Sequence, residues 1–365
     1  MGASAKGGTL SAPLLLPHYK RLEASGFHKA NTDRILGEVF AADWPAIRQK
    51  LADPTWLVPN IIEAMAKKSQ AFAALAWSAT TIRAGYNFGA LDNLLVSVRC
   101  RLLPPHAFQT TDALDERLEC TDIGEDTPCE YFRLPYPFVF IEFGRRRRSA
   151  YRVHNPVSGE HIMEGCYLNE TVNPDGQRVV QVIAVGSPVG KTGPLDDATL
   201  SFRFTIPDEE APLGAVIEQE FSSQAGRAAE QGLAHCNPSD QQDIRNAVFH
   251  ATKVLLYLNS VEARTHPLRE WSDLQQVLER VGNAKRSKIE RRMAKAYDRV
   301  VVGPESFPDD SIAQSDDRRG PSAHWRRGHY RRQPHGAGRA DRKLIWIRPA
   351  LIGGVVEQQK NYIVR

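Results

Sequence analysis

The feature that most constrains this chain is the unbroken apolar run Phe138-Val139-Phe140-Ile141. Neither an amphipathic helix nor a half-exposed strand accommodates four consecutive apolar residues, because both would turn some of them to water. A strand buried on both faces does accommodate them, so Pro137 to Phe143 is expected to be a central strand. From about Asn93 to Pro207, further short runs rich in Val, Ile and aromatic residues alternate with turn signals such as Asn173-Pro174-Asp175-Gly176. Strands are expected at Leu94 to Leu102, His161 to Val172, Arg178 to Gly186 and Thr199 to Ile206. Their short connections make the sheet mainly antiparallel.

Helical periodicity flanks this block. Before it lie Asp43 to Ala52 and Leu57 to about Arg83, the second with Ile61, Ile62, Met65, Phe72, Leu75 and Ala76 at helical spacings and Pro59 near its start. After it come Leu213 to Leu233, then Ser239 to Ala263 with a stripe of Ile244, Val248, Ala251, Val254, Leu255 and Leu258, and then a basic helix, Lys285 to Tyr297. The fold class expected is therefore α+β, a mainly antiparallel β-sheet flanked by an N-terminal helical layer and C-terminal helices, with a basic C-terminal β segment. Along the chain this gives a disordered start (1–16), a helical layer (17–92), a sheet core (93–207) and a helical region (208–303). A flexible linker (304–321) of Pro, Asp, Ser and Gly follows. The basic segment (322–365) closes the chain and packs on the core, with candidate strands at Lys343 to Arg348 and Ala350 to Val356.

Charge is unevenly spread. The net charge is only +4, yet Arg318 to Arg348 holds ten Lys/Arg against one acid, Asp341, which makes that segment +9 and leaves −5 elsewhere. Such asymmetry is the footprint of a local anion-binding surface, and a polyphosphate backbone is the anion it suits. No apolar run is long enough to span a bilayer, so no membrane partner is expected. The stretch Leu14 to Leu16 stops at Pro17, too short for a signal peptide, and Gly2 followed by Lys6 does not fit a myristoylation signal. Five cysteines with no C-x-x-C pair suggest neither a disulfide framework nor a zinc ribbon, and point to a reducing cytoplasm.

Within the basic segment, His324-Trp325-Arg326-Arg327-Gly328-His329-Tyr330-Arg331-Arg332 repeats a His-aromatic-Arg-Arg unit. Guanidinium forks grip phosphate oxygens and aromatic faces stack on bases, which is the chemistry of single-stranded nucleic-acid binding. Arg326, Arg327, Arg331 and Arg332 are the expected phosphate contacts and Trp325 and Tyr330 the expected stacking platforms. His335 and Arg339 extend the surface, and Gly328, Gly336 and Gly338 let the backbone bend close to a ligand. A solvated, disordered tail is the plainer alternative; the aromatic content and the run Leu344-Ile345-Trp346-Ile347 count against it.

The histidines raise two further readings. As metal ligands, His324, His329 and His335 have unsuitable spacings of five and six and repelling arginine neighbours, so no metal or other cofactor is expected. As a ribonuclease pair, His324 and His329 would supply base and acid while Arg326 or Arg327 neutralises the phosphate. The tetra-arginine Arg145, Arg146, Arg147 and Arg148 is either a solvated loop or a secondary basic patch that extends the phosphate track. The basic helix with Lys285, Lys288, Arg292 and Lys295 reads as an exposed face. Gly186 to Thr192 looks like a P-loop but is one residue short and runs into Gly193-Pro194, so a hairpin loop is expected there.

The residues His324-x-Arg326-Arg327-Gly328-His329-Tyr330, Gly336-x-Gly338 and Trp346-x-x-Pro349, together with Asp126-Thr127-Pro128, Leu134-Pro135 and Phe138 to Glu142, resemble a signature of a type V-A anti-CRISPR family and its phage and plasmid relatives. Tyr330 stands where Trp is expected, His335 where Tyr is common and Glu142 where Asp is typical. The resemblance implies an inhibitor that lowers the CRISPR effector nuclease of a bacterial host by acting on its messenger RNA during translation. The partners it implies are RNA and the ribosome with its nascent peptide, with the effector as indirect target. Three functions stand side by side: this translation-linked regulator, a metal-independent ribonuclease, and a DNA-binding regulator of a phage or plasmid. The last calls for a helix-turn-helix or a ribbon for the major groove, and no convincing short helix-turn-helix pair is legible near the basic segment.

Overall fold

The apolar run at 138–141 forms the heart of strand β3 (Phe138–Glu142), which is buried along its whole length. The computed structural model describes residues 16–58, 60–61, 64, 67, 88–125, 127–144, 151–155, 159–189, 197–230, 238–307 and 324–352. β3 pairs antiparallel with β5 (Gly159–Val172), which also pairs with β4 (Arg152–Asn155) and β6 (Arg178–Pro188); β7 (Ala198–Ile206) lies beyond β6. On its other side β3 runs parallel to β1 (His106–Thr110), and β1 runs parallel to β9 (Asp298–Val302). An antiparallel edge strand, β8 (Thr265–Arg269), completes the order β7-β6-β5-β3-β1-β9-β8. The sheet is mainly antiparallel, as expected, with a parallel centre around β1.

Successive side chains on a strand face opposite ways, and here both faces are covered. Phe138, Phe140, Tyr167, Ile183 and Val185 pack on an N-terminal layer made of α1 (His18–Ala24), α2 (Gly26–Phe40), α3 (Trp44–Ala52) and α4 (Phe88–Leu102). Val139, Ile141, Cys166, Leu168, Val182 and Phe204 face the other way. They meet α6 (Leu213–Glu230) and α7 (Pro238–Leu258), and α7 delivers Val248, Ala251, Val254 and Leu255 fully buried. A helix, α5 (Asp112–Glu119), follows β1; Thr111 caps its start by accepting from the Leu114 amide at 3.2 Å. Burial on two faces is what a continuous apolar strand requires, and it gives the α+β fold inferred from the sequence.

One expected strand is a helix. Leu94, Val96, Val98 and Cys100 alternate like strand residues, yet the segment is the second half of α4. The second half of α4 is wedged between the sheet and its neighbouring helices and so is buried nearly all round, Ser97 and Arg99 included, which lets both periodicities fit. Even Arg99 is buried, donating to the Asp53 carbonyl at 3.3 Å and to the Trp56 carbonyl; burial lowers its pKa to about 10.

Strands β1, β4, β8 and β9 are not among the elements expected from the sequence, nor are the helices α5 and α8 (Glu270–Arg280). α8 forms a hairpin with α9 (Asn283–Met293), the basic helix, through the two-residue link Val281-Gly282. A short helix pair therefore exists in the C-terminal half, although none was legible in the sequence. The segment that looks like a P-loop is strand through Pro188: Ser187 accepts from Arg21 and donates to Glu164 at 3.1 Å. Its remainder, 190–192, lies outside the described residues. So do the start at 1–15, most of the expected helix from Leu57 to Arg83, Arg145 to Arg148, the linker from 308 to 321, and 353–365. Among the described residues no helix is long and apolar enough to cross a membrane, and no group of three His, Cys, Asp or Glu side chains could hold a metal ion.

Candidate nucleic-acid interface

The basic segment is a β-ribbon. β10 (His324–Arg326) and β11 (Gly328–His335) run antiparallel to β13 (Ala350–Ile352) and β12 (Asp341–Ile347) in one continuous register, from His324 opposite Ile352 to His335 opposite Asp341. At its base Gly328 and His329 pair with the short strand β2 (Thr121–Asp122), and the Gly328 amide donates to the Cys120 carbonyl at 2.8 Å. Gly328 is glycine for space rather than for bending, since a Cβ there would collide with Thr121 and Pro349. Gly336 and Gly338 do serve the turn: both have positive φ, 77° and 62°.

Strand alternation divides the motif. Tyr330, Arg332 and Pro334 take one side of β11; His329, Arg331, Gln333 and His335 take the other. Tyr330 is 1% exposed, packed in the core with Leu344 and Trp346, and its hydroxyl donates to the Lys253 carbonyl at 2.7 Å. Burial first, and then Tyr257, push its pKa well up, so it remains a donor. It is an anchor, and the expected base-stacking role does not hold for it. Trp346 is anchored alike: its indole donates to Thr121 Oγ1 at 3.1 Å, its amide to Glu262 at 3.0 Å, and Tyr257 and Phe307 meet it edge-on.

Arg332 departs from expectation too. Its guanidinium donates to both oxygens of Glu210, at 2.6 and 3.1 Å, and lies 3.2 Å from Glu130. The bond to Glu210 comes first among the causes that raise its pKa. A guanidinium neutralised by two carboxylates has little left for a phosphate. Glu130 follows the Thr127-Pro128 motif on the short 3-10 helix Cys129–Tyr131. The two stretches that carry the family resemblance therefore touch, although some two hundred positions separate them.

Arg326, Arg327, Arg331, His335 and Arg339 are exposed. Arg327 keeps a loose contact, 3.3 Å, with an equally open Asp122. His329 is half-buried opposite Ile347, and Arg331 stands opposite Ile345. Arg339 sits in the turn at φ 60°, and Arg342 donates to its carbonyl at 2.6 Å. His324 and His329 are not brought together: five residues of ribbon separate their backbones by about 16 Å. Acid and base flanking one phosphate need hydrogen-bond reach from both sides. The tetra-arginine lies outside the described residues; just before it, the Gly144 amide donates to the buried Asp115 at 2.8 Å, and Asp115 in turn meets His250 Nε2 at 2.8 Å. Glu142, just before it, accepts a bond from the Tyr297 hydroxyl.

The fold and site thus define an α+β protein whose core holds a cationic β-ribbon at its surface. The chain belongs to the AcrVA2-like family, described as the anti-CRISPR type V subtype A2 family, whose model matches residues 108–354. That family acts by translation-coupled down-regulation of a CRISPR effector through its messenger RNA. No curated protein and no solved structure matches the chain.

Proposed function

We propose that the protein acts in the cytoplasm of a bacterial cell as an anti-CRISPR inhibitor that lowers its target by binding the target's message during translation. The outward face of the ribbon makes the RNA contact. The target is a type V-A effector or another host protein, and the ribosome with its nascent peptide is the setting in which the message is met. One observation carries this reading. Tyr330 and Trp346 are sunk in the core, so Arg326, Arg327 and Arg331 project from a rigid mount instead of trailing from a tail. Fixed guanidinium groups lose less freedom on gripping a phosphate.

Binding of a single-stranded RNA by the full chain, followed across salt concentrations, tests the proposal. Each lost phosphate contact removes about 0.7 from the log–log salt slope. The Arg326→Ala, Arg327→Ala, Arg331→Ala variant should therefore lose about 2 from that slope and bind weakly. The parent slope in that variant would rule the ribbon out as the contact.

A further inference from the structure

The connection between β8 and β9 is out of proportion to its task. Neighbouring antiparallel strands are commonly closed by a loop of two to five residues, whereas 270–297 intervenes here. The α8–α9 hairpin within it adds little to the core, since α8 buries no residue and α9 buries Ile289 alone. Yet it is firmly mounted. Asp298 caps α8 by accepting from the amides of Trp271 and Ser272 at 2.9 and 3.1 Å and from the Ser272 hydroxyl. Arg299 holds Glu270 through two nitrogens, at 2.9 and 3.3 Å.

α9 begins with a turn charged against the helix dipole and carries a stripe of like charges. Lys285, Lys288 and Arg292 share one stripe, continued by Lys295 in the turn that follows; all are exposed, and none forms an ion pair among the described residues. Like charges three and four apart repel. The first turn has no acid and carries lysine where the helix dipole is already positive. A helix tuned for stability alone would carry acids in that turn; the last turn, with Arg291 and Arg292, suits the dipole, and Arg286 pairs with Glu290. The cations also continue along the edge strand. The turn before β8 touches the ribbon, where the Val261 amide donates to the Leu344 carbonyl at 3.3 Å, and β8 then leads to α8, with Arg264 exposed just before the strand and Arg269 exposed at its end.

We propose that α9 and the β8 edge form a second polyanion contact, one that docks on base-paired RNA beside the single-strand contact of the ribbon; this rests on the RNA-binding reading above. The stripe offers rigidly spaced charges and no aromatic ring to stack on a base. That suits a ligand whose bases are turned inward and whose phosphates and 2′-hydroxyls line a broad surface, which is the A-form helix. An acidic protein or an anionic membrane would lack that regular phosphate spacing.

The test compares the full chain with its Lys285→Ala, Lys288→Ala, Arg292→Ala, Lys295→Ala variant, whose fold alanine should preserve and thermal melting would verify. The probes are an RNA duplex, a DNA duplex of the same sequence, oligouridine and phosphatidylserine vesicles. The variant should bind the RNA duplex about tenfold or more weakly, with its salt slope lowered by about 3, and should bind oligouridine within about twofold of the parent. The Arg326→Ala, Arg331→Ala variant should show the reverse pattern. Unchanged duplex binding by the α9 variant, or a parent that prefers DNA or vesicles to the RNA duplex, overturns the inference. A parent that binds oligouridine but no duplex defeats this inference alone; a parent that binds neither defeats the reading it rests on.

Discussion

Of three adjacent residues, strand alternation turns Tyr330 and Arg332 to one side and Arg331 to the other, and along the first side burial falls off from Tyr330 to Arg332. Tyr330 fills the core, Arg331 meets solvent, and Arg332 is held by Glu210 and Glu130. Tyr330→Phe keeps the burial and loses the bond to Lys253, so it should cost about 1 kcal/mol. Tyr330→Ala should cost about 3 to 5 kcal/mol, read as a lower Tm. RNA affinity of the folded Phe variant should equal the parent's; a loss would show that the hydroxyl meets the RNA. Arg331→Ala should lower the salt slope by about 0.7, whereas Arg332→Ala should leave it unchanged. The residue types were legible in the sequence, but their directions were not. Arg, Gln, Pro and His are weak strand formers, so nothing local marked 328–335 as a strand whose period of two would sort them.

Among the elements, β3 was legible because burial on both faces leaves an apolar run, here too short for a buried helix and set just after Pro135 and Pro137. Val139 is fully buried in it, and Val139→Asp places a carboxylate with no partner in the core. That variant should be insoluble or unfolded by circular dichroism; a soluble, fully folded one would contradict the central position of β3. α4 was misread because a helix buried nearly all round satisfies both periodicities. α8 was missed for another reason: it hangs outside the core, and its start is capped by a residue far along the chain, Asp298. Asp298→Ala should remove about 1 kcal/mol of capping. Hydrogen exchange should then quicken across 270–293 while β5 and β6 keep their protection; faster exchange throughout would show that the hairpin is part of the core after all.

Across the whole molecule, a buried network joins the N-terminal layer to the sheet. Arg21 of α1 grips Glu164 through two bonds of 2.6 Å and also holds Asp197 and Ser187. Arg21 lies upstream of 108, where the family match begins, so this contact fastens the unmatched layer to the matched fold. Burial first, offset by Arg21 and reinforced by Glu164, raises the Asp197 pKa to about 6. Between its ordinary 3.8 and about 6 the folded protein then keeps a proton that the unfolded chain releases. This group's stabilisation is complete below the lower value and is lost as pH rises through the upper one. Asp197→Asn should therefore flatten the stability profile between about pH 4 and 6, and an unchanged profile in urea melts would assign the titration elsewhere. The ribbon's claim to be the working surface is tested most directly in the cell. RNA crosslinked to the full chain should be sequenced beside RNA crosslinked to the Arg326→Ala, Arg327→Ala, Arg331→Ala variant. The account predicts enrichment of one coding sequence near its start with the parent, lost in a variant that still folds; the same enrichment in both would contradict it.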